Sequence, residues 1–167
     1  MGPSVRGQSP LFISSAAAYI RLMFDDLYNT NILSLSATLK NASLPSPDGT
    51  AREVSKLCGS WLEIDLKIAD SLVSDCALRV QACALGQASA AILKEAILGA
   101  SLDELRDARD GLNAMLKDGG DPPTGRFARL SLLSSVSKYP ARHTSTLLAF
   151  VAAVKAFEAA NDETVDS

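Results

Sequence analysis

Cys58, Cys83 and His143 are the residues of this sequence best suited to bind a soft metal ion or to carry sulfur. Cys83 comes just before a predicted helix, and a helix N-terminus presents free N–H groups and a partial positive charge that favour a thiolate. His143, the single histidine, falls in the first turn of the last predicted helix, where the dipole disfavours a positive ring and leaves a ring nitrogen available to metal. From spacing alone, these residues fit either a shared site or two structural thiols with a surface histidine.

A β-hairpin is the element that has to bring the two cysteines together. Residues 61–68 alternate between polar and apolar side chains, which is typical of a half-buried strand, and residues 72–80 form the predicted return strand after a turn at 69–71. Burial of one face selects the register that keeps the apolar residues together. Cys58 then lies one residue from the position opposite Cys83. Because neighbouring strands are about 4.8 Å apart, both thiols are expected within reach of one ion at the open end of the hairpin.

The third cysteine, Cys76, is predicted to be a core residue. The same register places it opposite Leu66, on the apolar face of the hairpin. A free cysteine is among the most frequently buried residue types and packs as a small hydrophobe. We therefore exclude Cys76 from the candidate site.

Helical patterns dominate the chain on both sides of this hairpin. Ser101 and Glu104 fit a capping box, in which both side chains satisfy free N–H groups at a helix start. Strands come early and helices late, which predicts an α+β fold with helices on one face of a small antiparallel sheet. The other predicted elements are a helix over residues 23–39, a loop over 41–50, a short strand over 51–57, helices over 86–98 and 101–118, a shorter helix around 127–133, and a long last helix opened by Pro140.

The composition fits one folded domain and excludes several classes of protein. The chain has 167 residues and a net charge of −3, without the clustered Lys and Arg that phosphate contacts need. No apolar run approaches the roughly 20 residues of a membrane-spanning helix. Three cysteines at irregular spacing argue against a secreted disulfide framework and for a reducing compartment, so we expect a cytoplasmic protein.

The chain divides into a main domain and two terminal segments. The helical pattern starts near Met23, so residues 1–22 are predicted to be a dispensable N-terminal extension and residues 23–160 a single domain. Residues 161–167 are predicted to form an acidic, disordered tail. An apolar stretch after Arg6 keeps a targeting or transit segment open as an alternative for the extension.

The segments LCGSWLEIDLKI and QACALGQASAAILKEAILGASLDEL resemble the U-type iron–sulfur cluster scaffold family, the NifU, IscU and SufU-like proteins. The resemblance covers roughly residues 24–157. It rests on Cys-Gly at a strand start and on Cys-Ala-Leu-x-Gln-Ala-Ser-Ala entering a helix. It implies an α+β fold with three antiparallel strands and helices packed on one face, and it implies that Cys58 and Cys83 are ligands of a metal or cluster.

The chain departs from the family pattern at two positions of the implied site. Ser60 stands where the family usually has the aspartate of Cys-Gly-Asp, and Thr144 stands at the position of a third cysteine. The implied site is therefore Cys58, Cys83 and His143, with Ser60 and Thr144 as possible further contributors. A [2Fe–2S] cluster takes four protein ligands. The fourth ligand would be an exogenous thiol, water, Ser60 or a second protomer.

The resemblance implies a scaffold that accepts sulfur from a cysteine desulfurase, binds iron, and holds a transient [2Fe–2S] cluster for recipient apo-proteins or carrier proteins. Two alternatives stay open. One is a zinc-containing SufU-like sulfur acceptor, since zinc suits two cysteines, one histidine and an open position. The other is a degenerate member that acts only as an interaction or regulatory protein.

We expect no enzymatic activity of the chain by itself. The sequence has no Gly-rich phosphate loop, no serine triad beyond a lone histidine, and no paired carboxylates with a cleft signature. We also expect no nucleic-acid or membrane partner. The resemblance leaves a homo-oligomer open, and the proline-rich motif by which a chaperone recognises IscU-type proteins is missing.

Overall fold

The structure of the protein, a computed structural model, describes residues 17–18 and 29–166. Strands come before most of the helices, and the fold is α+β as predicted. In chain order the elements are α1 (Thr30–Thr38), β1 (Gly49–Val54), β2 (Trp61–Ala69), β3 (Leu72–Gln81), α2 (Ala84–Ala96), α3 (Leu102–Asp118), a 3-10 helix (Gly125–Lys138), a 3-10 turn (Pro140–Arg142) and α4 (His143–Asp166).

The three strands form one antiparallel sheet in the order β1–β2–β3. Leu62 lies opposite Val80, and Leu66 lies opposite Cys76. This is the register predicted from the apolar alternation, so that prediction is confirmed. Near the turn between β2 and β3 the pairing shifts by one residue at a bulge. The bulge lies at the end of the hairpin away from Cys58, and it leaves the pairing at the end near Cys58 and Cys83 regular.

Helix α4 lies across β1 and β2 and covers the apolar face of the sheet. Small residues on its inner side, among them Ala156, let the helix backbone approach the strands closely. A Cβ atom placed on Gly49 of β1 would lie 1.9 Å from the carbonyl oxygen of Ala156. Leu62 and Ile64 of β2 are buried on the same face. The helices therefore pack on one face of the sheet, as predicted.

A buried ion pair holds a loop against the other face of the sheet. Asp65 is only 4% exposed, and its carboxylate accepts hydrogen bonds from Arg79 at 2.9 Å and from the Thr50 hydroxyl at 2.9 Å. It also accepts from the backbone N–H of Leu44 at 3.0 Å. Arg79 donates in turn to the carbonyl of Ala42 at 2.9 Å. The connection between α1 and β1 is thereby held over the polar face.

The segment predicted as a short helix around residues 127–133 is a 3-10 helix that extends from Gly125 to Lys138. The backbone is kinked at Phe127, whose φ and ψ are −104° and 27°. A 3-10 helix has three residues per turn, so every third residue falls on one side. The buried residues of this segment follow that spacing and are Phe127, Leu130, Leu133 and Val136.

The last helix extends farther than predicted. It continues to Asp166, through residues that we expected to be disordered, so that expectation is wrong. Once a helix is nucleated, each further residue adds one hydrogen bond, which favours continuation over a break without Gly or Pro.

The chain before α1 lies almost wholly outside the described residues. This includes most of the predicted extension over residues 1–22 and the predicted helix start at Met23. The described helix begins at Thr30, and the Asn29 side chain caps it by accepting from the Ile32 N–H at 3.1 Å. None of the helices within residues 17–18 and 29–166 combines the length and the apolar character that a membrane crossing needs.

Candidate metal and sulfur site

Cys58 is an exposed thiol on the loop between β1 and β2. Its Sγ lies 3.4 Å from Ser55 Oγ and 3.1 Å from Ser60 Oγ. Hydrogen bonds from the side chains of Ser55 and Ser60 lower the pKa of Cys58 from 9.0 to about 7, and the charge of Arg142 adds a smaller effect. Near neutral pH a large fraction of this residue is therefore thiolate, the form that attacks sulfur and binds metal.

The loop that carries Cys58 is closed by its own backbone. The N–H of Ser55 donates to the Ser60 carbonyl at 2.7 Å, and the N–H of Gly59 donates to the Ser55 carbonyl at 2.8 Å. Gly59 has a φ of +73°, a left-handed conformation that favours glycine. The turn holds both serine hydroxyls beside the sulfur, and its backbone geometry favours a glycine directly after Cys58.

Cys83 is the N-cap residue of α2, and its side chain makes no capping bond to that helix. The half-buried Sγ instead lies 3.6 Å from Ser145 Oγ, in the first turn of α4. The two helices approach closely at this point. A Cβ atom on Gly86 would lie 3.2 Å from the Ser145 carbonyl oxygen and 2.8 Å from Ala82 Cβ.

The hairpin brings Cys58 and Cys83 to the same end of the sheet. Cys58 comes just before β2 and Cys83 just after β3, while Trp61 at the start of β2 pairs with Gln81 at the end of β3. Both thiols also lie toward the segment where α4 begins. The charge of Arg142, just before α4, lowers the pKa of Cys58, and the Cys83 sulfur contacts Ser145 in the first turn of that helix. That they share one ion stays a prediction.

Cys76 lies in the core, as predicted. It is 2% exposed and pairs with Leu66 across the hairpin. Burial raises the pKa of its thiol to about 12, so this residue is protonated at neutral pH. Its environment separates it from the other two cysteines, and the prediction that it is a core residue is confirmed.

His143 is buried and held by backbone carbonyls. The side chain is 7% exposed, and Nε2 lies 3.1 Å from the Val136 oxygen and 3.3 Å from the Ser137 oxygen. Because carbonyl oxygens only accept, Nε2 carries the proton. In the neutral ring this leaves a lone pair on Nδ1. Metal-binding histidines are commonly oriented in this way, with one ring nitrogen donating to a backbone carbonyl.

The other two residues implied by the resemblance differ in their surroundings. Ser60 is buried beside Cys58, where its hydroxyl contacts the sulfur. Thr144 is exposed and lines a groove of about 360 Å³ together with Val54 and Leu147. Of the two, Ser60 is the one in contact with a candidate ligand.

Among the residues that the structure describes, no group of three or more His, Cys, Asp and Glu is arranged to hold a metal ion. The set of Cys58, Cys83 and His143 therefore stays a prediction. Sequence reasoning missed Ser55 and Ser145, which contact the two cysteines. Ser55 stands three residues before Cys58 across a tight turn, a signal that was present, whereas Ser145 reaches Cys83 only through helix packing.

Comparison with known proteins finds likeness to proteins of iron–sulfur cluster assembly over most of the chain. The crystal structure of the N-terminal part of a nitrogen-fixing NifU-like protein from Brucella abortus is 43% identical, with a TM-score of 0.82, over 84% of this chain and 99% of that chain. The scaffold protein IscU of Thermotoga maritima is 28% identical over 131 residues, 77% of this chain and 91% of its own length.

Two further matches are more distant. IscU of Streptococcus pyogenes serotype M1 is 25% identical over 101 residues, 60% of this chain and 64% of its own length. A SUF-system scaffold structure from Fervidobacterium islandicum AW-1 is 19% identical with a TM-score of 0.72, over 80% of this chain and 98% of that chain, and supports the fold alone. No protein-family model matches the chain.

Proposed function

Because the chain belongs to the U-type iron–sulfur cluster assembly scaffold family, we propose that it holds iron and sulfur while a cluster is built, and then releases the cluster to recipient or carrier proteins. The observation that supports this most is the contrast between its cysteines. Cys58 is exposed with a pKa of about 7, whereas Cys76 is buried with a pKa of about 12. An exposed thiol with a lowered pKa is available as the nucleophile that sulfur transfer requires.

Cys58 is the residue that we assign as the sulfur acceptor. Its thiolate would attack the outer sulfur of a persulfide on the active-site cysteine of a cysteine desulfurase. The donor's S–S bond breaks, a new S–S bond forms on Cys58 Sγ, and the electron pair leaves with the donor's cysteine thiolate, so this step has no net oxidation. Release of sulfide then takes two electrons from an external thiol reductant.

Cys58, Cys83 and His143 are the residues that we assign to bind the iron or the cluster. Two thiolates and the Nδ1 lone pair of His143 supply three donors, and a [2Fe–2S] cluster takes four. Ser60, Thr144, water, an exogenous thiol or a second protomer would supply the fourth. A weakly bound fourth ligand suits a cluster that has to be released to another protein.

The test is anaerobic reconstitution with ferrous iron and sulfide, followed by visible absorption and metal analysis. We expect charge-transfer bands in the wild type and their loss in Cys58→Ala and Cys83→Ala. Cys76→Ala is the matched control and should keep the bands, because this cysteine lies in the core. Equal loss in all three variants, or no bands and no bound metal in the wild type, would contradict the proposal.

The sulfur step has a test that is independent of cluster formation. Incubation with a cysteine desulfurase and free cysteine should increase the mass of the protein by one sulfur atom, and peptide mapping should locate it on Cys58. Transfer to Cys83 alone would refute the assignment of Cys58.

A zinc-containing sulfur acceptor is the second candidate function. It is favoured by the donor set itself, since two cysteines, one histidine and an open position are typical of catalytic zinc sites. Stoichiometric zinc in the purified protein, without charge-transfer bands after reconstitution, would select this function. The variant His143→Gln tests metal ligation without a change of structure. Its amide N–H can keep the hydrogen bond to the Val136 carbonyl, whereas the Nδ1 lone pair that would bind the metal is lost.

A further inference from the structure

We propose that Ser145 is the residue through which the last helix acts on the cysteine pair, by holding the Cys83 sulfur with its hydroxyl when that sulfur binds cargo. The inference rests on the proposed function and adds a positioning residue to it. Neither the resemblance to the family nor the departures at positions 60 and 144 point to Ser145.

The contact itself is the first support. Ser145 Oγ lies 3.6 Å from Cys83 Sγ, within hydrogen-bond range for sulfur. The serine is 1% exposed, so its hydroxyl has no bulk water with which to exchange partners. Cys83 is half-buried and makes no capping bond to α2, which leaves its sulfur free to accept from this hydroxyl.

The Ser145 hydroxyl has a second hydrogen-bond partner, so it can switch between two acceptors. Ser145 Oγ also lies 3.2 Å from the Arg142 carbonyl, to which it donates. Without cargo, the Ser145 hydroxyl donates to the Arg142 carbonyl, and its oxygen can accept from the Cys83 S–H. When the sulfur binds a metal ion, rotation of the hydroxyl lets it donate to the sulfur instead. Hydrogen bonds to charged groups are stronger than neutral ones, so the bound state is favoured.

The first residues of α4 face three different directions, as successive residues of a helix do. His143 faces the carbonyls of Val136 and Ser137, and Thr144 lines the exposed groove beside β1. Ser145 faces Cys83. The position next to the family's third cysteine is therefore the one that meets a thiol in this chain.

The surrounding packing keeps Ser145 in this place. Helix α2 has Gly86 where it meets α4, and any side chain there would crowd the Ser145 carbonyl. Thr146 in the same turn donates from Oγ1 to the Arg142 carbonyl at 2.7 Å, which fixes the start of the helix. Each candidate thiol thus has hydroxyl partners held by local structure, with Ser55 and Ser60 beside Cys58.

The first experiment measures binding of Co²⁺ to the full chain, using the thiolate-to-cobalt absorption as readout. Ser145→Ala should weaken Co²⁺ binding about tenfold and shift the charge-transfer band, because a hydrogen bond to a ligating sulfur is lost. Ser36→Ala is the matched control, because its hydroxyl donates to the Leu33 carbonyl within α1, and it should stay within about twofold of the wild type. An unchanged affinity and band in Ser145→Ala, or an equal loss in Ser36→Ala, would overturn the proposal.

The second experiment needs no metal and separates this inference from the proposed function. In a Cys58→Ala background, mild oxidation of Ser145→Cys should form a disulfide between Cys83 and the introduced thiol, detected by peptide mass analysis. Failure to form it in the folded protein would overturn the contact. If the disulfide forms but the wild type builds no cluster, the proposed function fails while the Cys83–Ser145 contact stands.

Discussion

The reactivity of each cysteine in this protein is set by what surrounds its sulfur. Cys58 is exposed and its sulfur contacts two serine hydroxyls, whereas Cys76 is buried in the core. The pKa values of about 7 and about 12 follow from these surroundings. At neutral pH the first thiol is a nucleophile, and the second behaves as part of the core.

Alkylation by iodoacetamide should therefore distinguish these thiols. Cys58 should react first at pH 7, and Cys76 should react only when the protein is unfolded. Ser55→Ala and Ser60→Ala remove the hydrogen bonds that lower the Cys58 pKa, so the pKa rises toward 9.0 and the rate at pH 7 falls several-fold. The pH profile of alkylation, read by peptide mass analysis, checks the direction.

A profile that stays centred near pH 7 in both serine variants would contradict this account. Thr144→Ala is a suitable control, because Thr144 is exposed and makes no hydrogen bond to Cys58. It should leave the profile unchanged.

At the scale of single residues the sequence correctly predicted that Cys76 lies in the core, because strand alternation alone places it on the buried face. The sequence offers Ser60 as a further ligand at the family's aspartate position, and the structure adds that its hydroxyl contacts the Cys58 sulfur and lowers the pKa of that thiol. Ser145 could not be found, because its contact with Cys83 depends on how two helices dock. Docking depends on the whole core and has no short signature in the sequence.

The site is positioned at the scale of elements by a close approach between α2 and α4. Gly86 allows this approach, since a Cβ atom there would lie 3.2 Å from the Ser145 carbonyl oxygen of α4. It would also lie 2.8 Å from Ala82 Cβ, just before α2. Glycine has a low helix propensity, so Gly86 destabilises the start of α2, but it allows the two helices to pack at a short distance.

Gly86→Ala should destabilise the protein by about 1–3 kcal/mol, as overpacking of a tight contact does. It should also move Ser145 away from Cys83 and weaken metal binding more than the loss of stability explains. Gly120→Ala is the matched control, because a Cβ atom there meets neighbours at an ordinary 3.4 Å. Thermal unfolding and metal titration of both variants check the expectation, and a neutral Gly86→Ala would refute it.

Most elements could be predicted from local signals. The hairpin register follows from alternation, and the Ser101–Glu104 capping box is present with both of its hydrogen bonds. The 3-10 helix could also have been recognised, since the apolar residues after Gly125 recur every third position. The extension of α4 to Asp166 could not, because nothing in the acidic composition signals where a helix stops.

At the scale of the whole molecule, the sheet has two different faces. The helices cover one face, and the connection between α1 and β1, bound to the Asp65–Arg79 ion pair, covers the other. Asp65 and Arg79 lie at the centre of the second face. The hydrogen bonds from Arg79, and smaller ones from Leu44 and Thr50, hold the Asp65 pKa below its ordinary value despite burial. An uncovered sheet face would expose this pair to water, so loop and pair stabilise each other.

The lowered Asp65 pKa makes part of the stability dependent on acid. The carboxylate stabilises the fold above the ordinary aspartate pKa of about 3.9, and this contribution is lost as the pH falls through the lower folded-state value. Asp65→Asn should cost about 1–3 kcal/mol at pH 7. Unfolding by urea as a function of pH should show a shallower acid dependence below about pH 4 in the variant. A wild-type acid dependence in Asp65→Asn would contradict the assignment.

The candidate site is assembled from segments that the ribosome makes at very different times. Cys83 and Ser145 are separated by 62 positions, and Cys58 lies earlier still. A nascent chain therefore contains Cys58 and Cys83 before the last helix emerges and packs. During that period the Cys83 sulfur lacks the Ser145 hydroxyl, and the Cys58 thiol lacks the nearby charge of Arg142. The surroundings of both sulfurs are therefore completed only when the start of α4 has been made and has packed.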